Sequence, residues 1–214
     1  MKYYKTGSGI LLEPKDSRLT YEFSIPSGNI SGKYWNGDPR LADLKDGGLL
    51  EEITEEAAVA EAKVAYNNLS MWYGKARDIA KEYHAGQIDK AGADYYTAHI
   101  LPVTKTVSAM FPGNGLLPVV ALLHDILEDT SYRDLENDFP PEVAEAVVAL
   151  THRKGETYYE YIGRVIKNDM AKRVKVCDLI QNMDLSRLPE GPTEKDRLRV
   201  KKYQEALTTI MRSF

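Results

Sequence analysis

A mainly α-helical bundle with a small β-containing N-terminal extension is the fold that the sequence predicts, and three observations predict it. The texture of the chain changes near residue 50, from Gly-, Pro-, Ser-, Asp- and Tyr-rich to helical. Beyond Thr54, apolar residues recur at the three- and four-residue spacing of amphipathic helices. Pro112, Pro140 with Pro141, and Gly191-Pro192 fall between those periodic stretches rather than inside them. Residues 1–50 therefore read as a hairpin-like extension and residues 51–214 as an all-α domain.

Within the extension, Leu19-Thr20-Tyr21-Glu22-Phe23-Ser24-Ile25 alternates apolar and polar side chains, and two or three short strands are expected. Asn36-Gly37-Asp38-Pro39 and the Gly47-Gly48 pair read as turns. Thr54-Glu55-Glu56 reads as an N-cap followed by first-turn acids, opening an Ala-rich helix through Tyr66. A second helix is predicted from about Ser70 to His84, with Trp72, Ala76, Ile79, Ala80 and Tyr83 on one face and Gly86 as its stop. Further helices are predicted near 95–110, 115–128, 140–152, 156–167, 169–187 and 193–212.

Composition bounds the function. Hydrophobic residues make up 43% and charged residues 28% of the 214, which is the balance of a globular chain able to bury a core. With 28 basic and 32 acidic residues the formal charge is −4, so the basic stripe that grips duplex nucleic acid is not expected. Cys177 is the single cysteine, which excludes an internal disulfide and suits a reducing cytoplasm. The opening MKYYKTGSGI has no apolar core, so no secretory leader is expected in it. No run approaches the roughly 18 apolar residues that span a bilayer.

The sharpest local feature is Ala121-Leu122-Leu123-His124-Asp125-Ile126-Leu127-Glu128-Asp129-Thr130. Written on one helix, His124 and Glu128 stand four apart, as do Asp125 and Asp129, so the polar groups share a side while Leu122, Leu123 and Ile126 face the core. Three carboxylates and an imidazole in one place repel and desolvate one another unless a cation sits among them. A His-Asp pair alone is weak evidence, but His99 lies upstream and Asp178 downstream in other helical stretches. Two histidines and two aspartates from three helices make a mixed nitrogen and oxygen set suited to Mn²⁺, Fe²⁺ or Zn²⁺.

These residues also fall in an ordered series: His84-x-Gly86-Gln87, Lys90-x-Gly92, Tyr96-x-x-His99, then Ala121 through His124-Asp125-x-x-Glu128-Asp129-Thr130. Phe139-Pro140-x-x-Val143, Ala149-Leu150-Thr151 and Val174-Lys175-Val176-x-Asp178-x-x-x-Asn182 follow. In this series residues 72–187 resemble the HD hydrolase domain of the bacterial stringent-response (p)ppGpp enzymes and of the small alarmone hydrolases. The resemblance implies an HD-domain helical bundle in which His99, His124, Asp125 and Asp178 bind one divalent cation, usually Mn²⁺. It implies that Glu128 and Asp129 orient or deprotonate the attacking water, that Lys90 meets substrate phosphates and that Asn182 lies near the sugar. Two departures stand out. Asp89 occupies the position of a base-stacking arginine, and the stretch from Gly92 to Tyr96 is one residue longer than usual.

Other residues carry two readings each. Of Arg173 and Lys175, which flank the Asp178 helix, at least one is expected to meet phosphate. Tyr158, in Tyr158-Tyr159-x-Tyr161, is either packing or a contact to base or phosphate. His84 reads as structural, Cys177 as a small core residue, and His152 as surface or cleft. The Arg197, Arg199, Lys201 and Lys202 run reads as a solvated face or a polyphosphate clamp. The expected activity is removal of the 3′-pyrophosphate from a guanine or adenine alarmone. The chain shows no counterpart of the synthetase part of the long enzymes, so degradation is the expected direction. The alternatives are a monophosphatase acting on a nucleotide such as NADPH, and a nucleotide-sensing module without turnover. The expected partner is a small-molecule nucleotide, with no duplex nucleic acid and no membrane, in a monomer or homodimer.

Overall fold

The computed structural model describes residues 2–6, 9–13, 19–24, 29–35, 51–112, 114–186, 188–189 and 191–214. They divide into two compact units, Met1–Met71 with Pro112–Leu116, and Trp72–Phe111 with Leu117–Phe214.

The first unit holds a five-stranded antiparallel sheet: β1 (Lys2–Thr6), β2 (Gly9–Glu13), β3 (Leu19–Ser24), β4 (Asn29–Trp35) and β5 (Glu51–Ile53). Its order is β4-β3-β2-β1-β5, a meander in which each early strand pairs with the next and β5 returns to pair with β1 (Tyr4 opposite Glu52). The alternating run at Leu19 is β3, as expected, but the sheet is larger than two or three strands. Short sequence-adjacent strands pair cheaply through tight turns, whereas β5 needs a partner 48 residues back at Tyr4 and Glu52, which no local pattern announces. The turns expected at Asn36–Pro39 and Gly47-Gly48 lie outside the described residues.

The helices begin with α1 (Glu55–Tyr83). The sequence predicts two helices here and the structure has one. Asn67-Asn68 lowers helix propensity by only a few tenths of a kcal/mol per residue, and no Gly or Pro stands between the halves to stop the ladder. After a loop come a π-helical segment (Tyr96–Ile100) and α2 (Leu101–Met110), where one helix is predicted. The stretch predicted as 115–128 is likewise two helices, α3 (Leu117–Leu123) and α4 (Ile126–Asp129). The remaining helices are α5 (Leu135–Asp138), α6 (Pro141–Leu150), α7 (Tyr158–Val165), α8 (Asp169–Met183) and α9 (Glu194–Met211). The chain is mainly α-helical, as its periodicity predicts. Among the described residues no helix is long and apolar enough to cross a membrane.

The core of the second unit is built around α3. Its residues Leu117, Val119, Val120, Ala121, Leu122 and Leu123 are all buried, as befits a helix apolar on every side. It packs against α2, α6 and α8, which supply Val103 and Val107, Val143 and Val147, and Val174 and Leu179. Burying each Leu or Val contributes on the order of 1.5–3 kcal/mol. The polar residues His99, His124 and Asp178 lie in this same core.

Helix ends are closed by side chains. Thr157 and Glu160 form a capping box on α7, Thr193 and Asp196 another on α9, and the Asn168 side chain accepts from Ala171 N at the start of α8. At the far end of α6, Arg164 donates to the carbonyls of Val148, Ala149 and Thr151 at 2.8–3.2 Å and pairs with Glu156 at 2.8 Å. That pairing holds Glu156 at a pKa of about 2. Arg164→Ala should therefore cost about 1–3 kcal/mol, because it strands helix-terminal carbonyls. A urea melt of the variant against the parent reads this directly.

Candidate metal centre

His124 and Asp125 occupy the break between α3 and α4. Asp125 has φ −103° and ψ 0°, the sparsely populated bridge region, and its carbonyl accepts from Glu128 N and Asp129 N to start α4. His124 Nδ1 lies 2.8 Å from the Ala121 carbonyl, a local side-chain bond that competes with continuation of the helix. The single helical face read from the sequence across His124 to Asp129 is thus corrected: two short helices meet there. The turn aims Asp125 at the histidines, which a continuous helix would not do.

The bond to Ala121 assigns the proton of neutral His124 to Nδ1 and leaves Nε2 as a lone pair facing inward. His124 Nε2 faces His99 Nε2 at 3.2 Å. Asp178 Oδ1 lies 3.2 Å from His99 Nε2 and 3.7 Å from His124 Nε2. Asp125 Oδ2 lies 3.0 Å from His124 Nε2 and 3.4 Å from His99 Nε2. The donor atoms of His99, His124 and Asp178 lie at separations that suit an ion bound about 2.1 Å from each. His99, His124 and Asp178 are buried and their donor atoms converge closely enough to hold a metal ion.

The electrostatics agree. Burial pulls His124 down, but Asp125 and Asp178 overcome it and raise it to about 10. His99 is raised in the same way, burial again being outweighed by Asp125 and Asp178. Burial opposes ionisation of both aspartates, yet His124 holds Asp125, and Lys175 holds Asp178, well below the usual carboxylate range. The negative field that draws protons onto buried imidazoles would equally attract a divalent cation.

Around Asp178 lie two residues expected at the substrate. Lys175 Nζ pairs with its Oδ2 at 2.8 Å, and Asn182 Nδ2 donates to its Oδ1 at 2.5 Å. Both also line a cavity of about 430 Å³ that opens over His99 and Asp125. The i,i+3 and i,i+4 spacing along α8 contained the signal for these contacts. Burial would lower Lys175, but Asp178 outweighs it and keeps the ammonium charged.

Glu128 and Asp129 are exposed on the rim of the same cavity. Glu128 Oε2 accepts from His152 N at 3.0 Å. Desolvation by the cleft wall, together with the charges of Asp125 and Glu128, raises Asp129 to about 6. His152 and Tyr158 also line the cavity, and the Lys202 ammonium lies 4.2 Å from the Tyr158 ring centroid. Of the basic run on α9, Lys202 therefore reaches the cleft.

An adjoining cavity of about 270 Å³ shares Tyr95, His99, Asn182 and Tyr203 with the first and adds Lys90 and Arg199. Lys90 pairs with Asp196 at 3.2 Å, and Arg199 pairs with the same carboxylate at 2.7 Å. Asp89, at the position of the base-stacking arginine, accepts at its Oδ1 from the amides of Ala91 and Ala93, both at 2.9 Å. Its charge helps close the loop. Arg173 is not among the lining residues of either cavity. It pairs with Asp169 at 2.9 Å and lies over Phe111 and Phe214.

Several residues take the structural parts expected of them. His84 is buried, with Nδ1 2.8 Å from Gln87 Oε1. Cys177 is buried, and its thiol is pushed up to about 12 by that burial, so it is inert at neutral pH. Tyr161 donates to the Leu150 carbonyl, and Tyr159 is exposed. The residue that sequence reasoning missed is Tyr95, whose hydroxyl donates to Asp125 Oδ2 at 2.7 Å. Nothing local marks it, because Asp125 lies 30 residues further on.

No family model matches the chain. It is 31% identical over 136 residues to a probable GTP pyrophosphokinase of Mycobacterium leprae, covering 58% of this chain and 17% of that protein. It is 34% identical over 113 residues to guanosine-3′,5′-bis(diphosphate) 3′-pyrophosphohydrolase MESH1 of Drosophila melanogaster, covering 48% of this chain and 63% of that one. The matches thus span about a sixth of the bacterial protein and under two thirds of the fly enzyme. A solved structure described as a metazoan ortholog of SpoT that hydrolyses ppGpp superposes with a TM-score of 0.55 at 23% identity, over 66% of this chain and 85% of that chain. The chain is thus similar in sequence to parts of these proteins and similar in fold to the solved structure.

Proposed function

We propose that the protein is a metal-dependent phosphohydrolase that removes the 3′-pyrophosphate of an alarmone nucleotide, of the (p)ppGpp or (p)ppApp kind. One observation carries the reading: His99, Asp125 and Asp178 of the His/Asp cluster, the acids Glu128 and Asp129, and the cations Lys175 and Lys202 all border one cleft, with His124 buried directly behind them. Acid, base and phosphate-pairing groups converge there as phosphoryl transfer to water requires.

In this reading His99, His124, Asp125 and Asp178 hold one divalent cation, with Mn²⁺ the expected ion. When bound, the ion supplies a water of lowered pKa and offsets charge on the phosphoryl oxygens. Asp129, with its raised pKa, accepts the proton of the attacking water, and Glu128 orients that water while the His152 amide fixes its carboxylate. Water attacks the phosphorus joined to the ribose 3′ oxygen, that P–O bond breaks, the ribose oxygen departs and takes up a proton from solvent, and pyrophosphate is released. Lys175 and Lys202 face the pyrophosphate, Tyr158 supports Lys202, and Asn182 lies where the sugar would pass. Lys90 and Arg199 border the adjoining cavity, so the 5′-phosphates are assigned there. Arg173 takes no part. The cytoplasm is the proposed compartment.

The base is the open variable, because Asp89 is engaged in its own loop. Chromatography of products after incubation with Mn²⁺ and ppGpp, ppApp or NADPH tests the reading. Pyrophosphate from either alarmone supports it and names the base. Orthophosphate from NADPH alone would move the substrate class, and no turnover with metal bound would leave a nucleotide sensor.

A further inference from the structure

The chain between Tyr96 and Ile100 is π-helical. A π turn spends one more residue per hydrogen-bonded ring than an α turn. Such segments persist where they place a side chain that an α turn would misplace.

Tyr95 stands at the start of this segment. Its N–H donates to the Gln87 carbonyl at 2.9 Å. Its ring contacts those of His84 and His99, with centroids 5.4 and 5.1 Å away. Its hydroxyl reaches Asp125 Oδ2 at 2.7 Å, the same oxygen that faces both His124 Nε2 and His99 Nε2. Backbone and ring are both held, so the hydroxyl has little freedom to leave.

We infer that Tyr95 is a positioning residue for the metal centre, fixing the Asp125 carboxylate so that Oδ2 points at the histidines. The inference rests on the metal-site reading above. Asp125 sits in a turn outside any helix and is the most solvent-accessible of the four acid and imidazole groups. Its carboxylate therefore has the most rotational freedom to lose. A donor that removes such freedom outside the ligand shell is typically worth about 10–100-fold in metal affinity.

Titration of the full-length, metal-free protein with Mn²⁺, followed by loss of the free-ion electron paramagnetic resonance signal, tests this. Tyr95→Phe keeps the ring contacts and removes only the hydroxyl. It should bind Mn²⁺ about 10–100-fold more weakly, with an unchanged far-ultraviolet dichroism spectrum. Turnover should recover as Mn²⁺ is raised to saturation, which a merely structural defect would not allow. Equal Mn²⁺ affinity in a folded Tyr95→Phe protein overturns the inference and leaves the metal site standing. Failure of the parent protein to bind Mn²⁺, Fe²⁺ or Zn²⁺ overturns both.

Discussion

Asp178→Ala is expected to abolish both metal retention and turnover. The carboxylate joins three groups at once: it faces His99 and His124, neutralises Lys175 and accepts from Asn182. Removing it takes an anionic ligand from the cluster and leaves the Lys175 ammonium charged and largely buried. Breaking one side of a buried ion pair commonly costs about 3–5 kcal/mol, so a lower melting temperature should accompany the loss of metal. His124→Ala should lose metal too, without stranding Lys175. Atomic absorption on dialysed proteins and a melt of each separate the two effects. Metal at full stoichiometry in Asp178→Ala would remove Asp178 from the ligand set.

Asp129→Asn is expected to keep the metal and lose turnover by about 10²–10⁴-fold, the usual range for a general base. Its pH behaviour follows from the sign of the shift. A base is active when deprotonated; Asp129 stands at about 6 in the metal-free site and a bound cation lowers it, so kcat/KM should fall as pH drops through a value below about 6. The Asn variant should lack that limb. The same shift has an opposite consequence for stability. The folded-state pKa lies above the ordinary 3.8, so the ionised group penalises the folded metal-free protein. The penalty is absent below about pH 4, grows between pH 4 and 6, and is complete above. Asp129→Asn should therefore raise the melting temperature at pH 8 and not at pH 4. Glu128→Gln should also retain metal and lose most turnover. Full activity in both variants would mean that neither acid handles the proton.

Much of the site was legible because its parts are short motifs of chemically costly residues. Histidine and aspartate inside apolar runs, as at Leu122-Leu123-His124-Asp125, need a reason to be buried. The structure brings His99, His124, Asp125 and Asp178 together from segments that the motif order had grouped. Helical periodicity likewise located α6, α7 and α9 within a few residues. What sequence reasoning misjudged depends on tertiary contacts. The break at His124-Asp125 has no Gly or Pro to announce it. It arises from the imidazole's bond to Ala121 and from the way Asp125 meets His99, on a different segment. Lys90 is read as a phosphate contact; the partner that the structure gives it, Asp196, lies 106 residues away, where no local pattern announces it. Arg173 and Lys175 are equivalent as charges in the sequence, two residues apart on one helix. That spacing turns them to different sides of α8, one toward Phe111 and Phe214 and the other toward Asp178.

The most direct measurement is hydrolysis of ppGpp in ¹⁸O-labelled water with Mn²⁺, with mass spectrometry of the products. The account predicts pyrophosphate carrying one ¹⁸O and an unlabelled nucleotide, and no product once the metal is chelated. Orthophosphate as the first product, or label on the ribose, would contradict it.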